Sequence, residues 1–156
     1  WVVTLMIGLM GFAFSLKQIF HRVDFTRTSK NINTKAGVFW CSVAGFTSFI
    51  SHNGGPPWQI FALPLGLRKS VFVGTSVLAF SYCNLIKVIP YFMLNQMTLT
   101  TLLTSLYLMI PATIAVFIGV RIIKIIPEKV FFKIVTWALL IISLKLIYDG
   151  LQVKIF

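Results

Sequence analysis

From Val71 to Val120 the chain carries a single charged side chain, Lys87. A bilayer crossing takes about 20 predominantly apolar residues, rising 1.5 Å each, to cover about 30 Å of hydrocarbon. The stretch therefore matches two crossings, Val71–Phe92 and Thr98–Val120, joined by the short uncharged turn Leu94-Asn95-Gln96. Trp1–Leu16 and Val130–Tyr148 read the same way. Only 11% of the residues are charged and 58% are hydrophobic. A soluble domain carries roughly 25% charged residues, so an ordinary soluble enzyme is excluded, and so is a disordered chain. The expected fold is all-α, a polytopic transmembrane helical bundle embedded in lipid.

Fourteen Lys and Arg face three Asp and Glu, for a net charge of +11. A nucleic-acid binder would spread that charge over one face of a soluble fold. Here it clusters between apolar runs, in Lys17–Lys35, Arg68-Lys69 and Arg121–Lys133, the pattern of cytoplasmic loops. No nucleic-acid partner is expected. Cys41 and Cys83 lie inside apolar runs without CxxC spacing, and read as small buried hydrophobes with no metal and no cofactor.

The residues after the basic loop 17–35 break the pattern of plain crossings. Ala36–His52 is apolar and carries Gly37, Cys41, Gly45, Ser48 and His52 at spacings that share one helical face. Asn53-Gly54-Gly55-Pro56-Pro57 follows, where glycines free the backbone and prolines remove donors. Trp58–Leu67 resumes as a short apolar piece, interrupted at Pro64 and Gly66. If Ala36–His52 crossed fully, Arg68, Lys69, Arg121, Lys124 and Lys129 would all lie outside, against the positive-inside bias. If 36–67 is a hairpin that enters and leaves on the cytoplasmic side, all three basic stretches lie inside. The hairpin is the expected arrangement. Irregular backbone at membrane depth survives only packed in protein or lining a watery cavity, which makes the break a candidate substrate site.

This divides the chain into segment 1–16, the basic cytoplasmic loop 17–35, a unit 36–148 and a tail 149–156. The unit comprises the hairpin 36–67 and the spans 71–92, 98–120 and 130–148. Segment 1–16 then reads as the last helix of a preceding repeat, in an N-terminal half of the same protein missing from this sequence. It runs opposite to the last span, so the chain is expected to be half of an inverted-repeat transporter, a plan whose sites use broken helices.

Gly45-Phe-Thr-Ser-Phe-Ile-Ser-His-Asn-Gly-Gly-Pro-Pro57, then Leu63-Pro-Leu-Gly-Leu-Arg-Lys69 and Phe72-Val-Gly-Thr75, resembles the second repeat of the sulfite exporter TauE/SafE family. The resemblance implies a multi-pass transporter of the bacterial inner membrane with two related halves of about four helices each. It also implies export or exchange of a small anion such as sulfite, a sulfonate or a related sulfur compound.

The expected substrate-binding set is Ser48, Ser51, His52, Asn53, Gly54, Gly55, Pro56, Thr75 and Asn84. Exposed N–H groups at the break, with a helix starting near Pro57, favour a negative ligand; a break that serves only helix packing is the plainer alternative. His52 can meet an anion or carry a proton, or simply bond a neighbouring helix. Lys87 is expected to snorkel toward an interface. The Thr98, Thr101, Thr104 and Ser105 cluster and the Ala115-xxx-Gly119 pair are expected to be helix contacts. Asp24, Glu128 and Asp149 are too scattered for paired-carboxylate catalysis, and no GxSxG, HExxH or phosphate-loop motif is present. Energy for transport must then come from gradients or another chain. An embedded scaffold subunit and a passive anion channel remain open as alternatives, and nothing in the sequence sets the oligomeric state.

Overall fold

Long apolar runs punctuated by glycine, proline and threonine fold as helices wherever lipid offers the backbone no other partner. In the computed structural model, residues 1–20, 33–95 and 97–155 are described, with side chains through Gln152. Among them are six α-helices and no strand: α1 (Val2–Phe20), α2 (Thr34–Ser51), α3 (Gly55–Ala62), α4 (Lys69–Met93), α5 (Leu99–Ile125) and α6 (Glu128–Ile155). A 3₁₀ turn, Leu63–Leu65, extends α3. Most of the expected basic loop, Gln96 of the short turn and Phe156 of the tail lie outside the described residues. Four helices are long and apolar enough to cross a membrane: Val2–Phe20, Lys69–Met93, Leu99–Ile125 and Glu128–Gln152. They correspond to the four expected crossings, and α2 is not among them. The fold is all-α and polytopic. Its helices run into what the sequence suggested were loops: α1 continues through Lys17 to Phe20, and α2 starts at Thr34.

The chain divides into two units, Trp1–Arg68 with Glu128–Phe156, and Lys69–Pro127. In the first unit α1 and α6 run antiparallel: Leu5 meets Gly150, Gly8 meets Ile147 and Gly11 meets Ser143. Their contact is a heptad-like seam. On α6 the buried residues are Phe132, Thr136, Leu139, Ser143, Leu146 and Gly150, spaced four and three apart and alternating large with small. On α1 they include Gly8, Gly11, Ser15 and Gln18, spaced three, four and three. Lipid supplies no hydrophobic drive between helices, so small residues that let backbones approach carry the contact. A Cβ on Gly8 would stand 2.9 Å from the Ile147 backbone nitrogen and 3.1 Å from the Ser143 carbonyl oxygen. The same approach recurs at Gly150, where a Cβ would stand 3.2 Å from the Leu5 backbone nitrogen.

The broken hairpin packs on itself in the same unit. Asn33 caps α2, its side-chain oxygen accepting from the amides of Lys35 (3.1 Å) and Ala36 (3.3 Å), as an N-cap Asn does. Gly37 leaves room for the Phe61 ring, whose Cζ would lie 3.0 Å from a Cβ there. The expected small-residue face holds only in part. Gly45 has nothing within 4 Å of its Cβ position and Cys41 is exposed, whereas the buried residues of α2 are Ala44, Thr47 and Ser48. Cys83 is half-exposed, so neither cysteine is the buried hydrophobe expected. Gly66 ends the second arm in the left-handed region, φ 61°, where a glycine carries no Cβ penalty.

In the second unit Thr98 caps α5. Its hydroxyl accepts from the Thr101 amide (3.2 Å), and the Thr101 hydroxyl accepts from the Thr98 amide (2.8 Å). Thr104 and Ser105 bond back to the carbonyls of Thr100 and Thr101. The hydroxyls of the threonine cluster complete the helix's own backbone bonding, and the residues are exposed. Ala115 is exposed and Gly119 has nothing within 4 Å, so that pair makes no close contact in this unit. The helix runs through Pro111.

Lys69, the first residue of α4, reaches the end of α5. Its ammonium donates to the carbonyls of Ile123 (2.7 Å), Ile126 (2.6 Å) and, more weakly, Lys124 (3.4 Å). A cation at the start of α4 opposes that helix's dipole by roughly 0.3–1 kcal/mol. Bonds from an ion to orphan carbonyls are worth about 1.5–3 kcal/mol, so the clamp wins. Lys69→Met is expected to lower the thermal midpoint of the detergent-solubilised protein by several degrees, and Lys69→Arg to recover part of the loss. An unchanged midpoint in Lys69→Met would mean the clamp contributes nothing.

Candidate functional site

The break is shorter than the proline pair suggested, and its position differs. Pro56 and Pro57 do not lie between the helices; they sit in the first turn of α3, which starts at Gly55. Proline fits there because its missing N–H has no intrahelical acceptor in any case. The turn between the helices is His52, Asn53 and Gly54. His52 ends α2 in the left-handed region, φ 55°, a conformation that His adopts more readily than most non-glycine residues.

The Thr47 carbonyl gathers the donors of this turn. It accepts from the backbone N–H of His52, from that of Asn53 (3.4 Å) and from the Ser51 hydroxyl (3.1 Å). The Asn53 amide, expected to face a ligand, is thus turned onto the end of α2, because a left-handed residue folds the following N–H back onto the helix. On the other side of the turn, the Trp58 amide donates to the Gly54 carbonyl at 3.2 Å, closing the first turn of α3. Pro56 and Pro57 have no N–H, so the start of α3 offers two amide donors without an intrahelical acceptor, those of Gly54 and Gly55. Gly54 is buried and Gly55 half-buried, and nothing lies within 4 Å of the point where a Gly55 Cβ would stand. Two successive N–H groups without an intrahelical acceptor, at the positive end of a helix and beside the open side-chain position of Gly55, suit an anion.

The structure brings Ser48, Ser51, His52, Asn53, Gly54, Gly55 and Pro56 together around this turn in the first unit. Ser48 is buried, Ser51 half-buried and bonded to Thr47, and His52 exposed. Thr75 and Asn84 belong to the second unit, both exposed on α4. The Lys87 ammonium donates to Asn84 Oδ1 at 3.3 Å. Lys87 is 5% exposed, so the ammonium turns back along α4 rather than snorkelling outward.

Sequence reasoning missed the support beneath the break. Pro56 is buried beside Gly11 of α1: a Cβ on Gly11 would lie 3.4 Å from Pro56 Cβ and would overlap Ser143 Oγ of α6. Three buried polar atoms have no hydrogen-bond partner among the described residues: Gln18 Nε2, Gln59 Oε1 and Ser143 Oγ. Gln59 stands one turn after Gly55 on α3, so the two share a face. The signal for Gly11 and Ser143 was present in the four-and-three spacing of small residues on the first and last helices.

The sequence model of the family described as Sulfite exporter TauE/SafE matches residues 1–146. No curated protein and no solved structure matches the chain.

Proposed function

The chain belongs to the sulfite exporter TauE/SafE family, and on that premise we propose that it moves sulfite, a sulfonate or a related small sulfur anion across the bacterial inner membrane by alternating access. It is a multi-pass membrane protein of a transporter family. The observation that carries the anion reading is the start of α3, where the Gly54 and Gly55 amides have no intrahelical acceptor and the side-chain position of Gly55 is open. No acidic side chain lies within α2 or α3, so a cation at the break would meet no counter-charge from either arm.

The α2–α3 hairpin enters and leaves on the cytoplasmic side in this reading. The antiparallel α1–α6 pair supports that arrangement: were α2 a full crossing, α1 and α6 would cross in the same direction and run parallel. Lys17–Lys35, Arg68-Lys69 and Arg121–Lys129 then share the cytoplasmic side, as the positive-inside bias requires.

A cysteine at Asn53 tests the site. In the full-length protein its thiol is expected to react with a water-soluble maleimide, and to be protected by sulfite or a sulfonate but not by amines or neutral sugars. Protection by cations alone overturns the anion reading, and an inert thiol points to a scaffold without a pathway.

A further inference from the structure

We propose that the Ser143 hydroxyl of α6 is a third donor to the oxyanion held at the start of α3, a role that rests on the anion reading of the α2–α3 break. The other buried hydroxyls with known partners satisfy themselves on their own helices. Ser15 donates to the Phe12 carbonyl (2.9 Å), Thr47 to that of Val43 (2.8 Å) and Thr136 to that of Phe132 (2.9 Å). Ser143 is 0% exposed and its Oγ has no hydrogen-bond partner among the described residues. A serine inside an apolar helix has that back-bond available one turn away, and here the hydroxyl forgoes it.

Its direction gives the reason. Ser143 Oγ projects off α6 into the place that a side chain on Gly11 would fill, and that same place touches Pro56, in the first turn of α3. Backbone of α1, hydroxyl of α6 and the start of α3 therefore meet at one point, where the missing side chain of Gly11 leaves room for the hydroxyl. Gly54 and Gly55, whose amides have no acceptor within the helix, immediately precede Pro56. Sulfite and sulfonates carry three oxygens, more acceptor capacity than two amides satisfy. In a low-dielectric setting each donor aimed at an ionised oxygen counts for roughly twice a neutral pair. A hydroxyl on a different helix adds the angular spread that two successive backbone amides lack, and favours a multi-oxygen anion over a single-atom one such as chloride.

The full-length protein in proteoliposomes, with labelled sulfite as the probe, tests this. Removing an unpartnered buried hydroxyl leaves no broken bond behind, so Ser143→Ala is expected to fold with an unchanged or higher thermal midpoint. Its KM for sulfite is expected to rise about tenfold, the loss of one hydrogen bond to a charged group, with the maximal rate within about twofold of the parent. Ser143→Gly, which adds no volume, is expected to do the same, and sulfite-induced thermal stabilisation should weaken in parallel in both. An unchanged KM in both variants overturns the role of Ser143 and leaves the break standing. A parent protein with neither sulfite flux nor sulfite-induced stabilisation overturns both.

Discussion

Replacing Gly55 by leucine is expected to abolish transport while leaving the yield of folded protein close to that of the parent. The two halves of this expectation rest on separate observations. A Cβ at Gly55 meets nothing within 4 Å, and the residue is not among those with positive φ. The larger side chain therefore neither collides nor strains the backbone, and at the first position of a helix leucine costs little. The space it takes, however, lies at the start of α3, beside the Gly55 amide of the candidate site. An isobutyl group there excludes the ligand and replaces a polar approach with an apolar plug, so flux should fall below detection rather than merely slow. Gly55→Ala, with one carbon, is expected to reduce flux in part. Gly74 and Gly119 are equally open, and leucine at either should leave both folding and flux intact, which separates the site from open glycines in general. Labelled sulfite flux in vesicles, alongside size-exclusion profiles, decides the matter. A fully active Gly55→Leu protein would reduce the break to a packing device.

The parts of this structure that were legible in the sequence are those set by strong local chemistry. Long runs with few charges made the four membrane-length helices legible, and Gly66 marked an interruption that ends the second arm of the hairpin. The break was legible as a break. Its boundary was not, because a proline pair stops a helix that approaches it yet suits the first turn of one that begins there. Sequence alone does not say which, and the structure puts Pro56 and Pro57 inside α3. The small-residue face of α2 held only in part, for a different reason. Adjacent rows at spacings of three and four are both plausible faces of one helix, and neighbours choose between them; the covered row holds Ala44, Thr47 and Ser48 rather than Gly45.

The α1–α6 seam was the larger omission. In a soluble helix the buried face announces itself by hydrophobic contrast, but a membrane helix is apolar on every side and offers none. The information lies instead in where the small residues fall: Gly8, Gly11 and Ser15 on one helix, and Thr136, Ser143 and Gly150 on the other. Since Pro56 leans on that seam at Gly11, the packing that went unread is also what holds the candidate site in place.

Gly8→Leu is accordingly expected to remove most of the folded protein, the largest structural effect of any single change proposed. Its Cβ would stand 2.9 Å from the Ile147 backbone nitrogen and 3.1 Å from the Ser143 carbonyl oxygen. Those are main-chain atoms of α6, so no rotamer change relieves the overlap and the helices must separate. Extra carbon in a packed contact costs about 1–3 kcal/mol where side chains can adjust, and a leucine pressed against backbone should exceed that range. Separation also forfeits the attraction that holds the pair: dispersion wells lose a quarter to a half of their depth when a gap opens by 0.5–1 Å. Between two helices in lipid, little else replaces it. Gly8→Ala should fall between parent and leucine variant, while Leu9→Ala, at an exposed position on the same helix, should be close to neutral. Fluorescence-detected size exclusion of solubilised membranes reads all three. A monodisperse Gly8→Leu protein at parental yield and melting temperature would mean that α1 and α6 do not depend on close backbone approach. Loss of the folded peak, set against a folded but inert Gly55→Leu, would separate the seam that builds this unit from the turn that meets its ligand.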